Sequence, residues 1–128
     1  MIILTPFLKA LDSLDEVLRI EKTPIIRDSA IQRFEYSYEL GIKMLKRVLQ
    51  EIEPAKISID ELGFKDLIRL GAEKGLIKNP EAWFGYREAR NITSHAYDEK
   101  KAEQIYAVLS LFALDARDLF AALQNRNV

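Results

Sequence analysis

Apolar positions recur at three- and four-residue steps along most of the chain, with charged residues between them, which is the period of amphipathic helices. Phe7, Leu8, Leu11, Leu14 and Leu18 form the first stripe, interleaved with Lys9, Asp12, Asp15, Glu16 and Arg19. Thr5-Pro6 supplies its start, a hydroxyl N-cap followed by a proline where no amide is needed. Pro24 disfavours helical geometry at Thr23, so this helix is expected to stop near Lys22. A longer helix is expected over residues 26–53, with Ala30, Ile31, Phe34, Tyr38, Leu45, Leu49 and Ile52 inward, Ile42 and Val48 flanking, and Pro54 ending it. Gly41 lies in its middle, at a cost of about 1 kcal/mol relative to alanine. Close packing of another backbone would be one reason to keep it.

Residues 55–62 carry no clear period and read as a loop. Residues 64–74 read as a shorter helix through Phe64, Leu67, Ile68 and Ala72, with Gly75 as its C-cap. Asn79-Pro80 repeats the cap-plus-proline start and opens a helix toward Ser94. Within it, Trp83, Phe84 and Tyr86 read as core or dimer contacts rather than base-stacking groups. Asp98 caps a last helix with Ala102, Ile105, Tyr106, Leu109, Phe112, Ala116, Leu119, Phe120 and Leu123 inward. No run alternates with period two for long enough to be a strand, and no repeat or linker divides the chain. The expectation is an all-α fold: an antiparallel up-and-down four-helix bundle with one additional short helix, as one domain over residues 1–128.

Composition narrows the function. The chain has 128 residues, 48% apolar and 30% charged, enough to bury a core without staples. It has no cysteine, which excludes disulfides and thiolate chemistry. Lysine and arginine number 19 against 20 acids, so no global positive field draws nucleic acid; any RNA contact must be local or shared with a second copy. The apolar start Met1-Ile2-Ile3-Leu4 stops at Thr5-Pro6, which suits neither a signal peptide nor a membrane span. A soluble, cytoplasmic protein without membrane contact is therefore expected. The glycines make no phosphate loop, a single histidine without cysteine makes no typical zinc site, and no Glu-x-x-His pair ends at His95. No metal and no cofactor is called for.

The candidate chemistry lies in Arg90-Asn91-Ile92-Thr93-Ser94-His95-Ala96-Tyr97. RNA carries its own nucleophile, the 2′-hydroxyl. Cleavage then needs a group that exchanges protons near neutrality, which imidazole provides, and a cation for the pentavalent phosphate, which guanidinium provides. His95 and Arg90 supply these types. Asn91 would orient one of them, and Tyr97 would hold a phosphate oxygen or stack on a base. On a regular helix Arg87, Asn91 and His95 share one stripe, whereas residues five apart differ by about 140°, so Arg90 and His95 do not converge. Either the helix unwinds near Ser94, or a two-fold dimer brings two such segments to one cleft. Glu35 and Glu39 share a face of the second helix; they read as solvated carboxylates or as partners for a facing arginine or histidine.

At these residues the chain resembles the HEPN proteins (higher eukaryote and prokaryote nucleotide-binding), helical bundles marked by arginine, a polar residue, and histidine four to six positions after the arginine. Arg90-Asn91 and His95 match that motif, and Tyr97 matches the longer form of subunits encoded beside a minimal nucleotidyltransferase. Gln32-Arg33-Phe34-Glu35-Tyr36-Ser37-Tyr38-Glu39-Leu40 looks like the second-helix segment of the nucleotidyltransferase substrate-binding subfamily. The resemblance implies a homodimer working with a separate nucleotidyltransferase. In toxin–antitoxin versions it implies a metal-independent ribonuclease with Arg90, Asn91 and His95 catalytic, Arg87 and Glu39 secondary, and Tyr97 modified with AMP by the partner. Other members are non-catalytic nucleotide- or substrate-binding subunits. A plain scaffold bundle is the third reading.

Overall fold

Pro6 at the helix start and the leucine stripe behind it produce α1 (Thr5–Leu18), which buries Phe7, Ala10, Leu11, Leu14 and Val17. The computed structural model describes residues 2–53 and 58–126. Leu4, rather than Thr5, is the N-cap of α1, and no side chain caps it; Thr5 is already helical. The helix also stops four residues before Lys22, in a turn where Arg19 and Ile20 bond back to the carbonyls of Glu16 and Val17. Thr23 then caps α2 (Pro24–Ile52) by accepting the Ile26 amide at 3.1 Å.

At 29 residues, α2 is about 43 Å long. It buries the expected stripe as far as Leu49, together with Arg27, Ser37, Gly41 and Met44, and leaves Ile52 half-buried. Gly41 faces a ring, not a backbone: a Cβ there would sit 3.1 Å from Phe7 Cζ. Pro54 and part of the predicted loop lie outside the described residues; beyond them, Ile59–Glu61 form one 3₁₀ turn that buries Ile59.

The next helix, α3 (Phe64–Glu73), ends in a Schellman motif. The Leu76 amide reaches Gly71 O at 2.8 Å and the Gly75 amide reaches Ala72 O at 3.1 Å, with Gly75 at φ 77°. The αL conformation is why glycine stands there. Helix α4 (Pro80–Asn91) starts after Asn79, whose side chain makes no cap and donates instead to Asp115 Oδ1 at 3.1 Å. The predicted last helix is two: α5 (Glu99–Tyr106), capped by Asp98, and α6 (Leu109–Arg126). Neither proline nor glycine marks the break, and Ile105 and Leu109 stay fully buried on either side of it.

Side-chain pairs give the helix directions. Arg117 of α6 bonds Asp12 and Asp15 of α1 while Phe120 meets Phe7, so α1 and α6 run antiparallel. Tyr38 meets Trp83 and Arg90 meets Glu35, so α4 is antiparallel to α2. Arg27 reaches Glu99 and Glu103 while Phe34 meets Phe112, so α5 and α6 follow the direction of α2. The fold is the expected up-and-down antiparallel bundle of α1, α2, α4 and α5–α6, with α3 as the additional short helix. Its centre is aromatic: the Phe112 ring lies 4.8 Å from Phe34, 5.3 Å from Tyr86 and 5.8 Å from Trp83, all edge-on, which suits the ring quadrupoles.

Gly71 is where α3 meets that bundle. An added Cβ would lie 2.9 Å from Ile77 Cγ1 and 3.3 Å from Leu45 Cδ1, both in buried side chains. Gly71→Ala is expected to destabilise the fold by about 1–3 kcal/mol, as overpacking does, despite alanine's better helix propensity. Chemical denaturation measures it, and a stability equal to or above wild type would contradict the packing described.

Candidate functional site

The motif segment begins where α4 ends. Thr93 is buried, and its hydroxyl donates to the Arg90 carbonyl at 2.8 Å. That carbonyl would take the Ser94 amide in a continuing helix, so the side chain competes with the ladder. The chain tightens instead into three-residue turns: His95 N to Ile92 O at 2.9 Å, Ala96 N to Thr93 O at 3.1 Å, and Asp98 N to His95 O at 3.0 Å. The stripe Arg87–Asn91–His95 is therefore broken. His95 and Tyr97 project from the turns between α4 and α5.

Arg90 is held across the groove to α2. Its Nε donates to Glu39 Oε1 at 3.1 Å, its Nη2 also pairs with Glu39, and its Nη1 lies 3.2 Å from Thr93 Oγ1 and 3.5 Å from Glu35 Oε2. The Glu39 hydrogen bond is the main reason the guanidinium is held above its ordinary range; burial opposes it and the Glu35 charge assists. Glu35 and Glu39 are thus not simply solvated: Arg90 is the arginine that faces them. Of the five guanidinium donors, three make these hydrogen bonds and one on each Nη does not, so Arg90 is fixed in orientation while keeping an edge for an anion.

His95 Nδ1 lies 3.4 Å from the Tyr97 hydroxyl, and either can donate according to the imidazole tautomer. Both side chains are exposed, Tyr97 by 85%. Among the described residues no hydrogen bond joins Arg90 or Asn91 to His95. Asn91 lines a cleft between α3 and α4, and Arg87 lies over the Phe64 ring at 4.5 Å. One chain therefore holds two separate groups, Arg90 with its carboxylates and His95 with Tyr97. Thr93 was within view in the sequence but had no assigned role; its place three residues after Arg90, within reach of that carbonyl, was the available signal.

The turns are anchored on their far side by α5. Asp98 accepts the Lys100 and Lys101 amides at 3.0 and 3.3 Å. Glu103 bonds Lys22 at 2.5 Å and the buried Arg27 at 3.4 Å. Among the described residues no three histidine, aspartate or glutamate side chains gather as metal ligands, and no helix is long and apolar enough to cross a membrane.

Comparison with known proteins places the chain as a whole. Residues 3–125 match the family model described as nucleotidyltransferase substrate binding protein like. The chain belongs to this HEPN family. A Haemophilus influenzae protein named probable ribonuclease HepT is 44% identical over 98 residues, covering 77% of this chain and 67% of the relative. HI0074 of Haemophilus influenzae, described as the fold of a substrate binding domain of a nucleotidyltransferase, superposes with a TM-score of 0.90 at 34% identity, over 95% of this chain and 99% of the other. A Thermus thermophilus protein gives a TM-score of 0.80 at 33% identity, over 91% and 98%. This chain is accordingly a nucleotidyltransferase-associated HEPN-type protein.

Two predictions concern this region. The Lys22 hydrogen bond, with Arg27 behind it, holds the Glu103 carboxyl below its ordinary range. A carboxylate lowered by folding contributes stability above its unfolded pKa and loses it as pH falls through the folded value. Acid should loosen α5 over that window, and Glu103→Gln should remove that part of the pH dependence, read by amide exchange in residues 99–106. Glu39→Gln should change stability by less than about 1 kcal/mol, since the pair is partly exposed, yet free the Arg90 side chain. Arginine Nε–H NMR checks this: an unaltered Arg90 signal would show that Glu39 does not orient it.

Proposed function

We propose that this HEPN protein is a metal-independent endoribonuclease that acts as a homodimer and is regulated by a partner nucleotidyltransferase through Tyr97. The observation that carries the reading is the oriented Arg90 at the end of the helix from which the exposed His95–Tyr97 turn projects. The 44% identical relative named a probable ribonuclease supports it.

In this reading the RNA 2′-oxygen attacks phosphorus, the 2′-O–P bond forms and the P–O5′ bond breaks. The 2′-hydroxyl loses a proton and the 5′-oxygen gains one. Each chain has a single histidine, so a two-fold dimer supplies one His95 as base and another as acid. Arg90 stabilises the pentavalent phosphate through its remaining Nη donors. Asn91 contacts substrate from the adjoining cleft, and Arg87 and Glu39 act through position, Glu39 by orienting Arg90. AMP on Tyr97 would set a phosphate and an adenosine beside His95 and occlude it.

A second reading, a non-catalytic subunit presenting nucleotide or substrate to the transferase, is favoured by one observation: two carboxylates already engage the motif arginine. The two readings separate in the test tube. For the ribonuclease, His95→Ala should lower RNA cleavage about 10²–10⁴-fold, the usual contribution of a general acid–base group, with the fold intact and wild-type activity unchanged by a chelator. Cleavage at wild-type rate in that variant would sink the proposal. Co-expression with the partner transferase should add one AMP to the Tyr97 peptide by mass spectrometry and nothing in Tyr97→Phe.

A further inference from the structure

Beside the motif helix lies a cleft of about 550 Å³ between α3 and α4, within the size range of small-ligand sites. Two phenylalanines form its floor, Phe64 and Phe84, both half-buried with ring centroids 6.4 Å apart and edge-on. Cations stand over both rings. Arg87 is 4.5 Å from the Phe64 centroid, and Lys65 and Arg69 are 5.6 and 5.8 Å from that of Phe84. Asn91 closes the end nearest the motif. Trp83 and Tyr86 are buried, whereas Phe84 is half-buried against the edge of the core and lines the cleft.

The charges continue past the cleft. Asp66 and Glu88 also line it, with Asp66 lying 3.8 Å from Arg69. Arg87 lines a second groove as well, with Lys43 and Lys46 of α2. The acid of that groove is Glu39, which Arg90 engages. A chain of net charge −1 therefore carries one face where cations exceed acids. Aromatic floors beneath cations are how single-stranded nucleic acids are held, with bases stacked on rings and guanidinium planes and phosphates met by charge. An acidic peptide would use the cations and leave the two ring faces and the Asn91 amide without purpose.

We propose that this cleft is a base-stacking subsite, taking a nucleobase with its flanking phosphate next to the Arg90–His95 segment. The base takes the place of Lys65 and Arg69 over the Phe84 ring, the two displaced cations meet the phosphate, and Asn91 reads the base edge. The inference rests on the ribonuclease reading only for the view that the base belongs to an RNA strand.

The test is equilibrium binding to the full chain carrying His95→Ala, so that bound RNA stays intact. The probes are a fluorescent single-stranded RNA of about 8 nucleotides, suited to sites of this kind, an abasic strand of the same length, and AMP. Phe84→Ala should weaken RNA binding about tenfold, as loss of one stacking platform does. It should leave the abasic strand, already weak on the parent, unchanged. Phe84→Leu keeps apolar bulk without a ring and should behave like the alanine variant, which separates stacking from misfolding. Arg69→Gln should lower the salt slope for RNA by about 0.7, one phosphate contact on a single strand. AMP competing on the parent and not on Phe84→Ala would identify a free nucleotide as occupant; RNA binding far tighter than AMP would identify the strand. Equal RNA affinity across the parent, Phe84→Leu and Arg69→Gln overturns the proposal. So does unchanged RNA binding with loss of nucleotidyltransferase binding, which would make the cleft a protein-docking surface. In the chain with His95 restored, absence of cleavage with this binding intact would overturn the ribonuclease reading alone.

Discussion

The Phe112 ring is the contact on which the rest of the molecule depends. It meets Phe34 of α2 and Trp83 and Tyr86 of α4 edge-on, so three helices share one apolar hub. The rotation of α4 about its axis is set by this packing, because Trp83 and Tyr86 must face inward together. Arg90, one turn beyond Tyr86, is then carried to the side of α4 that faces Glu35 and Glu39. The polar bridge follows from the aromatic packing. Buried rings resist displacement, whereas a partly exposed ion pair contributes little to stability.

That bridge has two consequences for chemistry. It spends much of the guanidinium on the protein's own carboxylates, which weakens its pull on a distant anion. It also removes the freedom the side chain would otherwise lose on meeting a phosphate, and leaves its remaining Nη donors in a set direction. His95 and Tyr97 follow the opposite plan. They stand on solvent-facing turns, held from below by the Asp98 cap and the Glu103–Lys22–Arg27 cluster. A held cation and an exposed imidazole–phenol pair in one chain, unbonded to each other, suit the proposed site completed from outside the monomer.

Much of this was open to reading along the chain. Leucine and aromatic spacing marked all four bundle segments and the short helix, though not the break between α5 and α6, and Gly75 marked the αL cap of α3. Errors clustered at helix ends, where one side chain decides. Thr5 lost the cap to Leu4, and Asn79 turned to Asp115 instead of its own helix. The motif's convergence problem was visible from the five-residue offset; the unwinding it allowed for occurs at Thr93 but leaves Arg90 and His95 apart. Periodicity does not tell a fully buried aromatic such as Trp83 from one at the rim of the core such as Phe84.

Sequence alone determined what depends on neighbours along the chain: helical period, the Schellman stop, the residue types of the motif, and through them the family. Tertiary structure decided which residues meet across helices. Glu39 binds Arg90 from 51 positions away, Thr93 reaches Glu35 from 58, and Phe64 faces Phe84 across a cleft. Local preferences are written in adjacent side chains. These meetings are set by the rotation and offset of whole helices, which only the packing of the common core defines.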